Sequence, residues 1–209
     1  MHLTVRSGGL KLESGCITRL GEAGPVRFHV GGKPNGLVFG PDGETLFCDA
    51  EANSIRRLDP VDGSTSIYVA GADAALPDRP NDLAFDSNGR LVFTCPDNSR
   101  TDPTGRVWSA RAGETPRLVA EGLHFRNGLA FSADGRTLFV AETYRHQLWK
   151  GEYDPAKGLW INPLPFVELG GPVGPDGIAL SDDGALYVAV FGQDAIKRVT
   201  PNGLVFRCR

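Results

Sequence analysis

Arg126-Asn127-Gly128-Leu129-Ala130-Phe131-Ser132-Ala133-Asp134-Gly135-Arg136-Thr137-Leu138-Phe139-Val140 is the stretch from which most of this chain can be read. Its pattern returns three times. Pro34-Asn35-Gly36-Leu37-Val38-Phe39 leads to Asp42-Gly43 and Thr45-Leu46-Phe47. Pro80-Asn81-Asp82-Leu83-Ala84-Phe85 leads to Asn88-Gly89 and Leu91-Val92-Phe93. Pro175-Asp176-Gly177-Ile178-Ala179-Leu180 leads to Asp183-Gly184 and Leu186-Tyr187-Val188. In each copy a polar Asn or Asp opens a short apolar run, and a turn glycine follows eight residues later. The opening positions 35, 81, 127 and 176 are 46, 46 and 49 residues apart. Self-similarity at this period signals a propeller or a solenoid.

Helical periodicity is scarce throughout. The apolar runs are short and bounded by Gly, Pro, Asp or Asn, which is the pattern of strands and turns. Fifteen prolines and 27 glycines fit many short strands with tight connections. Four strands are expected in each unit: 36–40, 45–50, 54–59 and 65–70; then 83–86, 90–95, 105–110 and 116–120; then 128–132, 137–142, 146–153 and 163–168; and last 177–181, 185–191, 195–199 and 203–207. Trp149 and Trp160 are expected to anchor packing between sheets. Four antiparallel strands per repeat make a propeller blade. A first, partial unit offers Leu3-Thr4-Val5-Arg6, residues 15–20 and residues 26–30 as second, third and fourth strands. The expectation is an all-β fold, with residues 1–209 forming a single β-propeller domain. Four full blades plus part of another are either a five-bladed ring with a damaged first blade or a fragment truncated at both ends. The fragment is the preferred reading, since a propeller closes to remove its sheet edges.

A net charge of -3 with no Lys/Arg cluster leaves no electrostatic footprint for nucleic acid. No apolar run is long enough for a membrane span, and the first residues lack the layout of a signal peptide. Cys16, Cys48, Cys95 and Cys208 share no metal or redox spacing and read as thiols in a reducing cytoplasm.

In a propeller the first strand of each blade lines the central channel, so Asn35, Asn81, Asn127 and Asp176 should converge at one mouth. Amide and carboxylate oxygens around one point suit a hard cation such as Ca²⁺, Mg²⁺ or Mn²⁺. Asn-Gly and Asp-Gly are also ordinary turn formers, and repetition for structural reasons alone stays open. Asp176 brings the only charge of the four, after the low-bulk loop Gly170-Gly171-Pro172-Val173-Gly174-Pro175. Arg79 would project near the mouth or serve as a surface arginine. His2, His29, His124 and His146 share no metal spacing. Asp97, Asp102, Glu142 and Glu152 read as solvated carboxylates in loops or at strand ends. No Gly-x-Ser-x-Gly elbow nominates a serine.

Arg79-Pro80-Asn81-Asp82 followed by Phe93-Thr94, then Arg126-Asn127-Gly128-Leu129, then Pro175-Asp176-Gly177 with Leu186-Tyr187-Val188-Ala189, resembles the senescence marker protein/gluconolactonase/luciferin-regenerating enzyme family. The resemblance covers residues 33–209. It implies a six-bladed β-propeller that holds one divalent cation in its channel, calcium foremost, with Zn, Mn or Mg as alternatives. It further implies a hydrolase of small lactones or related esters, with neither nucleic acid nor membrane as partner. By the same resemblance Asn127 and Asp176 match metal ligands; Asp176, at the metal, is the catalytic candidate, to orient or deprotonate the attacking water. Asn81 matches an asparagine facing the metal, its waters and the substrate. Arg79 matches an arginine that contacts sugar-lactone substrates.

Three departures accompany this likeness. The remaining family ligand, a glutamate opening the first blade, has no counterpart in Glu13 or Glu22. Cys95 stands where the family commonly has aspartate, and the final blade is absent. These departures imply weak metal binding and no catalysis by a truncated chain. A non-catalytic binding propeller and a related phosphotriesterase or arylesterase stand as alternatives.

Overall fold

The computed structural model describes residues 7–11, 15–40, 43–70, 79–96 and 100–208, with the first segment as backbone only. Short apolar runs separated by glycine turns become five antiparallel sheets among these residues. The first sheet holds β1 (Ser7–Lys11), β2 (Cys16–Gly21) and β3 (Gly24–His29). The second holds β4 (Pro34–Phe39), β5 (Thr45–Asp49), β6 (Ser54–Leu58) and β7 (Thr65–Ala70). The third holds β8 (Leu83–Phe85), β9 (Leu91–Cys95), β10 (Gly105–Ala110) and β11 (Arg117–Leu123). β12 (Arg126–Phe131), β13 (Thr137–Glu142), β14 (Gln147–Asp154) and β15 (Leu159–Glu168) form the fourth. β16 (Gly174–Leu180), β17 (Leu186–Phe191), β18 (Ala195–Val199) and β19 (Val205–Arg207) form the fifth. Every sheet runs in chain order, which is the meander of a propeller blade. A single 3₁₀ turn at Thr143–Arg145 is the only helical segment among the described residues.

In the first sheet β1 pairs with β2 from Ser7↔Leu20 to Lys11↔Cys16, in the place expected for the second strand. The expected strand at Leu3-Thr4-Val5-Arg6 lies outside the described residues, as do Glu13, Asp42 and Asp97.

The turn glycines eight residues after each opening position behave alike. Gly43, Gly89, Gly135 and Gly184 all have φ between 68° and 84°, a region that glycine enters without steric cost. Each donates its N–H three residues back, to Gly40, Asp86, Ser132 and Ser181.

Apolar side chains meet between sheets rather than within them. Ile17, Phe28, Phe47 and Leu58 join the first sheet to the second. Leu46, Ile55, Leu91 and Phe93 join the second to the third. Val92, Val107, Leu138, Val140 and Trp160 join the third to the fourth, with Trp149 at the margin. Leu148, Leu186, Val188 and Val199 join the fourth to the fifth. Inner strands are thus buried on both faces: on β9, Leu91 and Phe93 point to one neighbour and Val92 to the other. That is why these strands read as continuous apolar runs.

One buried charge closes the junction between the first and second sheets. Asp49 is fully buried at the end of β5. Its Oδ1 accepts the N–H groups of Lys33, Glu51 and Ala52, each at 3.1 Å. Its Oδ2 accepts from Arg56 at 2.9 Å, and the same guanidinium nitrogen reaches Val30 O at 3.0 Å. Burial pushes this carboxyl up, but hydrogen bonds from Ala52, Lys33, Arg56 and Glu51 outweigh it and hold the carboxyl below its usual range. The stabilisation is therefore complete above the unfolded carboxyl pKa of about 3.9 and lost as pH falls through the lower folded value. Asp49→Asn is expected to cost about 1–3 kcal/mol in urea unfolding at pH 7. The difference from wild type should shrink as the acid range is entered; a constant difference would mean that charge is not the cause.

Close approach between inner strands predicts a second contrast. A Cβ on Gly128 would stand 2.3 Å from Asp176 O and 2.7 Å from Ile178 N, whereas one on Gly177 meets nothing within 4 Å. Gly128→Ala is expected to lose about 1–3 kcal/mol of stability, because backbone atoms cannot step aside. Gly177→Ala should melt close to wild type, and equal melting of the two variants would contradict the close approach.

Candidate functional site

The opening residues of the repeats all lie where the first strand of a sheet departs from regular pairing. Pro34 pairs with Asp49 and Leu37 with Phe47, so Asn35 and Gly36 together oppose Cys48. Arg126↔Glu142 and Leu129↔Val140 leave Asn127 and Gly128 opposite Ala141. Pro175↔Val190 and Ile178↔Val188 leave Asp176 and Gly177 opposite Ala189. In the third sheet Asn81 N–H donates to Thr94 O at 2.8 Å and Thr94 N–H to Asp82 O at 2.9 Å, which puts Asn81 and Asp82 against Thr94. Two residues opposing one is a β-bulge, and a bulge re-aims the side chain that it carries. The four bulges follow one another around the inner strands, which touch in the order β4, β8, β12, β16.

Asn127 and Asp176 are brought together. Asn127 is 7% exposed, and its Nδ2 donates to Thr143 Oγ1 at 3.3 Å. Thr143 in turn donates to Pro175 O at 2.8 Å, the carbonyl just before Asp176. Burial pushes the Asp176 carboxyl above its usual range, and a hydrogen bond from the Asn127 side chain partly offsets that rise. Asn81 and Asn35 are half-buried in the neighbouring bulges, where Gly36 N–H meets Asn81 O at 2.7 Å.

Asp82 also belongs to this group, although sequence reasoning quoted it without giving it a role. Its Oδ1 accepts from Leu83 N–H at 2.9 Å and its Oδ2 from Leu129 N–H at 3.2 Å. Burial pushes its carboxyl up to about 6. The two backbone N–H groups work against this rise, and the nearby charge of Asp176 adds to it. The signal in the sequence was the lone acid at a position where the other repeats have glycine.

Arg79 is exposed, with φ at 65°, and its N–H donates to Asn53 Oδ1 at 2.9 Å, which ties its backbone to the second sheet. Glu142 corrects an expectation: it is 3% exposed rather than solvated. Its Oε1 accepts His124 N–H and its Oε2 accepts Trp149 Nε1–H, both at 2.6 Å. Arg126, its partner across the strands, is buried and donates to Ala120 O. Burial pulls that guanidinium down to about 9, with Glu142 and Glu121 acting the other way. Above the bulge, Phe125 packs edge-on against Tyr144 with centroids 5.1 Å apart, and Arg100 lies over the Tyr144 ring at 5.5 Å. Arg145 is 3.2 Å from His124 Nε2. Asp102 and Glu152 are exposed, as expected.

The donor set fits a hard divalent cation. Asn127 and Asp176 lie within hydrogen-bonding reach on adjacent bulges, Asn81 belongs to the bulge next to that of Asn127, and amide and carboxylate oxygens are the donors such a cation takes. No ion pair among the described residues involves Asp82 or Asp176, so two half-buried carboxylates lie on these bulges without an ion-paired cationic side chain among the described residues. Among the described residues no three His, Cys, Asp or Glu side chains cluster to hold a metal, so a cation there would draw on amide oxygens too.

Relatives of known name share the fold and much of the sequence pattern. The chain is 27% identical over 175 residues to an L-arabinolactonase of Azospirillum brasilense, covering 82% of this chain and 54% of that protein. It is 28% identical over 193 residues to a gluconolactonase of Zymomonas mobilis, covering 76% and 49%. The chain thus spans about half the length of the curated relatives it matches. Among solved structures, a gluconolactonase from Xanthomonas campestris superposes with a TM-score of 0.83 at 20% identity, covering 97% of this chain and 71% of that one. A calcium-binding regucalcin from Agrobacterium tumefaciens superposes with a TM-score of 0.78 at 19% identity, covering 93% and 66%. The profile of the SMP-30/Gluconolactonase/LRE-like region matches residues 14–208, and the chain belongs to that family.

Proposed function

We propose that the protein is a divalent-metal-dependent hydrolase of lactones, sugar lactones or related cyclic esters. The observation that carries this reading is the pairing of Asp176 with Asn127 on adjacent bulges, beside a second half-buried carboxylate and with no ion-paired cationic side chain at either among the described residues. The names of the relatives, L-arabinolactonase and gluconolactonase, support the substrate class. Asn127, Asp176 and Asn81 would hold the cation, with Ca²⁺ first by likeness to a calcium-binding neighbour. When bound, such a cation supplies Lewis-acid polarisation of an ester carbonyl.

The chain's own residues supply the rest. Among the described residues Asp176 accepts a hydrogen bond from Asn127, and a carboxylate can accept several, so it keeps capacity to orient a water and take its proton. The water oxygen adds to the lactone carbonyl carbon, the ring C–O bond then breaks, and the proton taken by Asp176 passes to the departing ring oxygen, giving the hydroxy acid. Arg79, exposed beside the Asn81 bulge, would bind ring hydroxyl and carbonyl oxygens together with Asn81. Three buried thiols, Cys16, Cys48 and Cys95, outside any disulfide, suit a reducing compartment, and we place the protein in the cytoplasm.

Asp176→Asn should lower kcat/KM for a responsive lactone by about 10²–10⁴-fold, the usual scale for losing a general base. Asn127→Ala should weaken Ca²⁺ affinity, and Arg79→Ala should mainly raise KM. Calorimetry with Ca²⁺, Mn²⁺ and Mg²⁺, followed by a lactone panel on wild type and these variants, checks all three. A wild-type chain that takes up no divalent cation and opens no lactone would leave a binding propeller as the better reading.

A further inference from the structure

Glycine fills one position of the bulge in three repeats, and Asp82 fills it in the fourth. The difference changes how neighbouring inner strands meet. Gly36 brings β4 directly onto β8, its N–H reaching Asn81 O at 2.7 Å, and Gly128 brings β12 against Asp176 O and Ile178 N. Between β8 and β12 a side chain spans the gap instead. Asp82 Oδ2 accepts Leu129 N–H at 3.2 Å, and Leu129 is the residue at which β12 resumes regular pairing after its bulge. Leu129 is 3% exposed, so its N–H has no ready access to water if that acceptor is lost. On the other flank, Thr94 Oγ1 donates to Asn127 O at 2.8 Å. Thr94 Oγ1 also accepts the N–H of Asp82 at 3.2 Å. The main chain before and after Gly128 is thus gripped from the third sheet by two side chains, and the Thr94 hydroxyl also holds the Asp82 backbone.

We propose that Asp82 and Thr94 form a clasp between the third and fourth sheets that positions the Asn127 carboxamide at the channel mouth. Asp82 is a positioning residue here, not a ligand: both of its carboxylate oxygens already accept backbone N–H groups. A carboxylate suits the task because it accepts at two oxygens, whereas an asparagine offers one. This inference rests on the metal-centre reading above for its consequence, though not for the clasp itself. Partners that orient ligands commonly govern metal affinity nearly as strongly as the ligands do.

The test uses Asp82→Gly, which installs the residue of the other three repeats, together with Asp82→Asn and Thr94→Val. Val92→Ala, in the buried core of the same sheet, is the control. Amide hydrogen exchange at Leu129 and calorimetric Ca²⁺ affinity are read for each. Asp82→Gly should speed Leu129 exchange by about tenfold or more, as expected for a lost hydrogen bond to a charged group. It should weaken Ca²⁺ binding by about 10–100-fold. Asp82→Asn should fall between it and wild type, and Thr94→Val should follow the same direction. Val92→Ala should lower the melting temperature and leave Ca²⁺ affinity unchanged. Wild-type Ca²⁺ affinity in Asp82→Gly would overturn the positioning role. If the wild-type chain itself takes up no Ca²⁺, the metal-centre reading fails and Leu129 exchange alone decides the clasp: faster exchange in Asp82→Gly supports it, and unchanged exchange overturns it.

Discussion

Backbone meeting backbone at the inner strands is the constraint on which the rest of this molecule depends. Sheets arranged face to face converge toward their first strands, and side chains there must give way. Gly36 and Gly128 give way completely, since a Cβ on either would lie 2.6 Å or less from the next strand's atoms. Each bulge absorbs the extra residue that convergence creates, and a bulge re-aims the Asn or Asp that it carries. The device that lets the sheets crowd together is thus also the one that brings Asn127 to Asp176. Cys48, Thr94 and Ala141, opposite three of the bulges, are all small and fully buried, as crowding on that side also requires.

The four inter-sheet clusters set how firmly this arrangement is held. Burying a Val, Leu or Phe side chain contributes about 1.5–3 kcal/mol, and each junction carries several. Two buried carboxylates at the same junctions have partners for both oxygens. Asp49 spends its oxygens on three N–H groups and a guanidinium, and Glu142 spends its own on His124 N–H and Trp149. Such groups add little net energy but strongly penalise any arrangement that leaves them unpaired. They fix which loop faces which sheet, and so fix the height of the bulges at the mouth.

Much of this could be read from residues alone because the signals were local. A glycine eight residues after each opening Asn or Asp requires a positive φ wherever it occurs, and all four have it. Apolar runs between such turns became strands whose limits differ from expectation by a few residues; β15, for instance, begins at Leu159. What was not legible depends on a neighbouring repeat. Thr94 and Thr143 matter through carbonyls 33 and 32 residues away, and Asp82 through an amide 47 residues away. Reading four repeats as copies of one template also hides the one place where they differ. Glu142 was missed for a related reason: a carboxylate at a strand end is usually solvated, and only the fold shows Trp149 and His124 enclosing it.

Two acids a short way apart in a site without a cationic side chain would ordinarily be a liability, each making the other harder to ionise. Here their surroundings separate them. Asp82 sits deeper, its oxygens given to the backbone of its own strand and of the next, and it cannot turn outward without stranding the buried Leu129 N–H. Asp176 lies at the opening of β16, after a loop poor in side chains, with the Asn127 carboxamide as a side-chain partner. Removing Asp82 would therefore be felt in the backbone first and at the mouth second, while removing Asp176 would be felt at the mouth alone. The repeat thus uses one carboxylate to build the opening and leaves the other exposed to whatever enters it.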